Sequence, residues 1–181
     1  MARVLIPLAQ GCEELEAVTL IDLLRRADIE VVTAGLDGAP VTASRGTVLI
    51  PDTSLDQVMD QDFDLMVLPG GLPGSDHLDQ DPRIHQLLRR LADAGRYTAA
   101  ICAAPKVLAS AGLLDGRSAT AYPGVLSAFP QVQAKDLAVV GDGRVITSRG
   151  PGTAMDFALH LIETLVGAAT RNQVEAALVR S

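Results

Sequence analysis

The chain has 181 residues, 48% hydrophobic, 20% charged and 3% aromatic, with a formal net charge of −7. That length fits a single domain, 1–181, whose core is built mostly from Val, Leu, Ile and Ala. The acidic balance argues against non-specific attraction to nucleic acid or anionic membranes, and no stretch approaches the roughly 18–20 apolar residues of a membrane span.

In chain order, "ARVLIPL" (2–8) reads as a short buried strand, followed by a turn at "QGC". "EELEAVTLIDLLRRA" (13–27) repeats apolar residues at helical spacing, at Leu15, Val18, Leu20, Leu23 and Leu24. Acids open this helix and arginines close it, as the helix dipole prefers. "DIEVVTAGL" (28–36) is a second strand, and "PVTASRGTVLIPD" (40–52) is a hairpin turning at Ser44–Gly46. "DFDLMVLPGG" (62–71) is a strand stopped by Pro-Gly-Gly, with His77 in the loop that follows. "DPRIHQLLRRLADAG" (81–95) is a helix ending at Gly95. "RYTAAI" (96–101) is a strand, "PKVLASAGLL" (105–114) a short helix and "RSATAY" (117–122) a strand. "DLAVVGDGRVITS" (136–148) is a hairpin turning at Asp142–Gly143. Two helices, 153–167 and 170–180, complete the chain; the first has Thr153 as its expected N-cap.

Strands alternating with helices predict an α/β fold with a mainly parallel sheet covered on both faces. Ligands in such sheets bind beyond the carboxyl ends of the strands. That rule selects "AQGCEELE" (9–16), "PGG" (69–71) and "CAAP" (102–105) as three loops facing one crevice. The N-terminus lacks the pattern of a secretory signal. Two cysteines, Cys12 and Cys102, are too few for a disulfide framework, which points to a reducing cytoplasm. Nothing has zinc-ligand spacing, and no cofactor is expected.

Cys102 ends a strand and precedes a helix, so it is either a packing residue or a nucleophile on a sharp turn. In the second case, helix amides favour its thiolate, and Ala103 and Ala104 leave room for a substrate. Glu13, Glu14 and Glu16 are surface acids, or one of them reaches the sulfur as a carboxyl whose pKa burial has raised. Gly70 and Gly71 make a tight turn or present an amide to an oxyanion. No histidine adjoins Cys102 in sequence, which argues against a cysteine hydrolase.

The stretches "EELEAVTLIDLLRRADI", "VLPGG", "AAICAAP" and "TSRGPGTAMDFAL", in this order, resemble the ThiJ/PfpI superfamily. Within it the chain is similar to the branch of the Parkinson-disease-associated protein deglycase, closest to bacterial YajL-like members. The resemblance implies a flavodoxin-like three-layer sandwich and a homodimer. It implies Cys102 as nucleophile, Glu16 as the protonated carboxyl at its sulfur, and Gly71 and Ala103 amides as the oxyanion pocket. Gly70 belongs to the same pocket, and Arg26 and Arg45 match arginines near the site and the dimer interface. Where animal members carry a histidine, this chain has Tyr122 within "TAYP". A phenol is a poor base at neutral pH, so slow turnover is expected.

The implied activity is that of a glyoxalase or deglycase acting on methylglyoxal, glyoxal or their early adducts, in carbonyl-stress protection. The rival reading is a redox-sensing stress chaperone whose Cys102 is oxidised to sulfenic or sulfinic acid.

Overall fold

The apolar run Arg3–Leu8 forms strand β1, and its side chains leave alternately into two layers. Val4, Ile6 and Leu8 enter one apolar cluster, and Leu5 enters the other. This alternation is possible because helices cover both faces of the sheet. The protein is described here over residues 1–180 by a computed structural model.

The elements follow the chain as helix α1 (Glu14–Arg26), strands β2 (Glu30–Gly35), β3 (Val41–Thr42), β4 (Val48–Leu49), β5 (Thr53–Ser54) and β6 (Leu65–Leu68), then helices α2 (Gly74–Gln80) and α3 (Pro82–Asp93). Strand β7 (Tyr97–Ile101), helix α4 (Pro105–Ser110), strands β8 (Ser118–Ala119), β9 (Gln133–Ala134), β10 (Val139–Asp142) and β11 (Val145–Ser148), and helices α5 (Ala154–Val166) and α6 (Ala168–Ala177) complete it. The main sheet has seven strands in the order β10-β11-β7-β6-β1-β2-β5. All its pairings are parallel except β10 with β11. A mainly parallel sheet with helices on both faces is the expected three-layer α/β sandwich.

One layer holds α1, α5 and α6, with Phe157, Leu20 and Leu161 fully buried in its core. The opposite layer holds α2, α3 and α4 over Met66, Leu87 and Leu108. From β1 the chain moves outward to β2, then returns past β1 to β6. The loops after β1 and β6 therefore diverge, and they open a crevice at this switch of direction. Cys102, at the end of β7, lies one strand further along.

Several elements differ from the sequence expectation. His77 lies in helix α2, not in a loop; its seven residues bury only Gly74, Ser75 and Leu78, too little for a visible apolar period. The strand expected at 117–122 shrinks to β8, which pairs with β9 outside the main sheet. On α1, Leu15 and Val18 are half exposed while Glu16 is buried. Glu16 shares the inward face with Leu20, Leu23 and Leu24, at spacings i, i+4, i+7 and i+8.

Candidate active site

Cys102 follows directly on β7 and has φ of 63°, in the left-handed region that non-glycine residues rarely adopt. Such a conformation costs roughly 1–3 kcal/mol and persists only where the surroundings fix it. Two backbone bonds do so: Cys102 N donates to the Ser148 carbonyl at 3.0 Å, and Tyr122 N donates to the Cys102 carbonyl at 2.8 Å. Pro105 then opens α4, which is only six residues long. The elbow is real, but it is more enclosed than the sequence suggested, with Cys102 only 8% exposed.

Glu16 is fully buried in the first turns of α1. Its Oε2 accepts the Gly70 amide at 2.8 Å, whereas Oε1 is buried without a hydrogen-bond partner. Burial pushes the carboxyl up to about 7, against the opposing pull of the Gly70 amide and the Cys102 thiol. A buried carboxyl with its pKa raised in this way keeps its proton closer to neutrality. The thiol and this carboxyl lie close enough for each to shift the other's pKa.

Burial, and then the Glu16 charge, push the Cys102 thiol up to about 12, while the Gly71 and Ala103 amides pull it down. This corrects the expectation that the turn alone would favour the thiolate. The short helix and two amides do not offset burial beside a carboxylate. The thiolate is accessible only while Glu16 keeps its proton, because two buried anions cannot share this space. The two groups therefore hold one proton between them, and it is shared by the pair rather than owned by either residue.

Gly70 and Gly71 make this approach possible. A Cβ on Gly70 would stand 2.6 Å from Cys102 Cβ and 2.7 Å from Glu16 Oε2. Gly71 has φ of 90°, and a Cβ there would lie 2.4 Å from Glu13 N. Glu16, Gly70, Gly71, Cys102 and Ala103 thus converge, and Tyr122 adjoins them through its amide. The Tyr122 side chain is half exposed.

Arg26 and Arg45 are exposed and make no hydrogen bond to that cluster among the described residues. Arg26 pairs with Asp22 at 2.8 Å, and the Arg45 guanidinium reaches only the Ser44 carbonyl at 3.4 Å. Glu13 and Glu14 serve the hairpin, both meeting Ser44 Oγ at 3.0 Å. His77 Nδ1 is 3.0 Å from the Gln10 carbonyl and lines a cleft of about 530 Å³ with Leu36, Asp37 and Arg83. That cleft does not include Cys102, so its size is no guide to the chemistry. A smaller cleft of about 320 Å³ lies beside the elbow, lined by Tyr122, Pro123, Lys135 and Arg149. Cys12 is fully buried, and burial together with Glu14 pushes its thiol up to about 11. Sequence reasoning missed Ser148, whose carbonyl holds the elbow; the motif "TSRGPGT" contained it, but a backbone acceptor leaves no residue-type signal.

Fold and site together define a flavodoxin-like α/β protein with a cysteine on a strained strand-to-helix elbow against a buried carboxyl. The DJ-1/PfpI family profile matches residues 2–164, and the chain belongs to that family. It is 48% identical over 169 residues to Protein dj-1beta of Drosophila melanogaster, covering 90% of this chain and 89% of that one. It is 41% identical over 182 residues to the Parkinson disease protein 7 homolog of Danio rerio, covering 98% and 96%. The glutathione-independent glyoxalase DJR-1.2 of Caenorhabditis elegans is 37% identical over 176 residues, covering 96% and 92%. The crystal structure of Drosophila melanogaster DJ-1beta superposes with a TM-score of 0.96 at 43% identity, covering 99% of this chain and 98% of that one. Oxidized Toxoplasma gondii DJ-1 gives 0.96 at 36% identity, covering 100% of both chains.

Proposed function

We propose that this protein is a cysteine-dependent glyoxalase or deglycase acting on methylglyoxal, glyoxal or their early adducts. The observation that carries this reading is the fully buried Glu16, with one oxygen unpartnered, beside the elbow cysteine. A relative named as a glutathione-independent glyoxalase supports the reaction class.

In the reactive form, Glu16 holds the shared proton and Cys102 is the thiolate. The sulfur adds to the aldehyde carbon, and the new oxyanion sits on the Gly71 and Ala103 amides. That oxygen takes the Glu16 proton, giving a hemithioacetal. The Glu16 carboxylate then removes the proton from the former aldehyde carbon and returns it to the neighbouring one, through an enediol. The product is a thioester. Water cleaves it, releasing a hydroxy acid such as lactate and restoring the thiol–carboxylate pair. Methylglyoxal plus one water gives lactic acid, so neither oxidant nor reductant enters.

The second reading, a redox-sensing stress chaperone, uses the same sulfur. Oxidation to sulfenic or sulfinic acid would place new oxygens beside the same amides. A structural relative in an oxidised form favours keeping it. We further propose a homodimer, supported by an exposed apolar surface at Leu15, Val18, Val48 and Ile50. The Glu14 carboxylate accepts the Arg45 amide at 2.9 Å, which ties the start of α1 to this hairpin. A reducing, cytoplasmic setting is supported by two free cysteines, and no helix among the described residues is long and apolar enough to cross a membrane.

The deciding experiment follows methylglyoxal loss without glutathione in wild type and Cys102→Ser, alongside intact mass after mild peroxide. Turnover lost only in the serine variant supports the enzyme. Equal turnover in both overturns it and leaves the sensor ahead.

A further inference from the structure

A left-handed cysteine needs an external brace, and the structure shows what the brace is made of. The Cys102 amide is held by the carbonyl of Ser148, the last residue of β11, which pairs with Ile101 in the sheet. Ser148 is fully buried, and its hydroxyl lies 2.8 Å from the Ala138 carbonyl and 2.7 Å from Thr153 Oγ1. Thr153 Oγ1 also accepts the Gly150 amide at 3.1 Å. Each hydroxyl carries one proton. The Ala138 and Gly150 carbonyls have no proton to give, so each can only accept. Ser148 Oγ and Thr153 Oγ1, 2.7 Å apart, are joined by a hydrogen bond in which either hydroxyl is able to donate. Thr153 Oγ1 also lies 2.9 Å from the Gly150 carbonyl and can donate there, so the two hydroxyl protons are distributed over three contacts. The chain runs from the Gly150 amide through Thr153 and Ser148 to Ala138.

The sequence assigns Thr153 the ordinary task of capping α5, a task worth about 1 kcal/mol. The structure shows otherwise: Thr153 makes no side-chain cap bond to α5. Its hydroxyl is turned back toward the end of β11 instead. Helix α5 also packs on α1, which carries Glu16. The Thr153–Ser148 bond therefore ties the α1/α5 layer, which positions the acid, to the strand end that positions the nucleophile.

We propose that Thr153 is a positioning residue for Cys102, acting through the Ser148 hydroxyl and carbonyl to hold the elbow against Glu16. It touches neither sulfur nor substrate. The inference deepens the active-site reading above, since it concerns the same cysteine, yet it can be tested without any turnover.

The test compares Thr153→Val, which keeps the shape and deletes the hydroxyl, with Thr153→Ser, which keeps the hydroxyl. Cys102 alkylation by iodoacetamide is followed between about pH 5 and pH 9, with the Cys12→Ala background removing the second thiol. In Thr153→Val the amides of Gly71 and Ala103 lose their aim, so the alkylation midpoint rises and the rate at neutral pH falls at least about threefold. Thr153→Ser stays with its parent. Ser148→Ala, which cuts the chain at its middle, shifts the profile in the same direction and keeps the test open if the valine variant does not fold. With methylglyoxal, kcat falls about tenfold while KM holds. A folded Thr153→Val or Ser148→Ala protein with the parental alkylation profile overturns the proposal, as does a serine variant that behaves like valine. Absence of aldehyde turnover in the parent would instead sink the enzyme reading and leave this result standing.

Discussion

Glu16 Oε2 accepts the amide proton of Gly70 at 2.8 Å, across 54 residues of sequence. This bond locks one carboxyl oxygen to the end of β6 and leaves the other, Oε1, buried and unpartnered. A carboxyl held in this way is poised between two uses. Ionised, it repels the neighbouring thiolate; protonated, it can donate to it. The chemistry proposed here depends on moving between these two states.

The first prediction concerns stability against pH. Burial raises the folded-state pKa of Glu16 from 4.5 to about 7. Above 4.5 the folded protein holds a proton that the unfolded chain has released, so this group's contribution falls as pH rises. The benefit is complete below about 4.5, declines towards 7 and is lost above it. A shift of this size corresponds to roughly 3 kcal/mol. Glu16→Gln removes the penalty while keeping an acceptor for the Gly70 amide. The variant is expected to gain stability over wild type between pH 5 and about 8, measured by denaturant unfolding. A constant difference across that range would contradict it.

Gly70→Ala is expected to slow catalysis by about 10²-fold in a protein that still folds. The added methyl meets Cys102 Cβ at 2.6 Å and Glu16 Oε2 at 2.7 Å, so nucleophile and acid must move apart. Displacements near 1 Å commonly cost about 10²-fold in rate. Turnover of methylglyoxal and circular dichroism, measured together, check both halves of the statement.

Tyr122→His tests the expectation of slow turnover. The Tyr122 amide is bonded to the Cys102 carbonyl, and its side chain is half exposed, so an imidazole fits here without strain. General acid–base help is typically worth about 10²–10⁴-fold, so a gain of at least about tenfold in kcat is expected. No gain in a folded variant would show that proton transfer is complete without residue 122.

Much of the fold was legible because parallel strands are buried on both faces and read as apolar runs. Leu65–Leu68 is buried at every position, which makes that strand plain in sequence. Helix α2 was not legible, since polar residues dominate it and Leu78 is its one large buried side chain. At the site, family resemblance rather than periodicity identified Glu16. Apolar spacing on α1 pointed to Leu15 and Val18 as inward residues, and both face outward. The direction of the Cys102 shift was also hidden, because burial is a property of the assembled layers and not of the turn.

The outward-facing side chains of α1 also bear on the next prediction. Leu15, Val18, Val48 and Ile50 form the proposed dimer surface, with Ile50 82% exposed. Exposed apolar patches of this kind mark interaction sites. The double variant Val18→Asp, Ile50→Asp should sediment at half the mass of wild type while keeping its circular dichroism. Wild-type protein that sediments as a monomer would contradict the dimer.

The most direct measurement is the pH dependence of Cys102 alkylation in wild type and Glu16→Gln, each in the Cys12→Ala background. A shared proton predicts a wild-type rate that rises through a midpoint near about 7 and then levels off, because the ionising carboxylate holds the thiol back. In Glu16→Gln that brake is absent, so the midpoint moves higher and the rate overtakes wild type in alkaline solution. Superimposable profiles, or a glutamine variant slower than wild type above about pH 8, would show that the two groups do not share a proton.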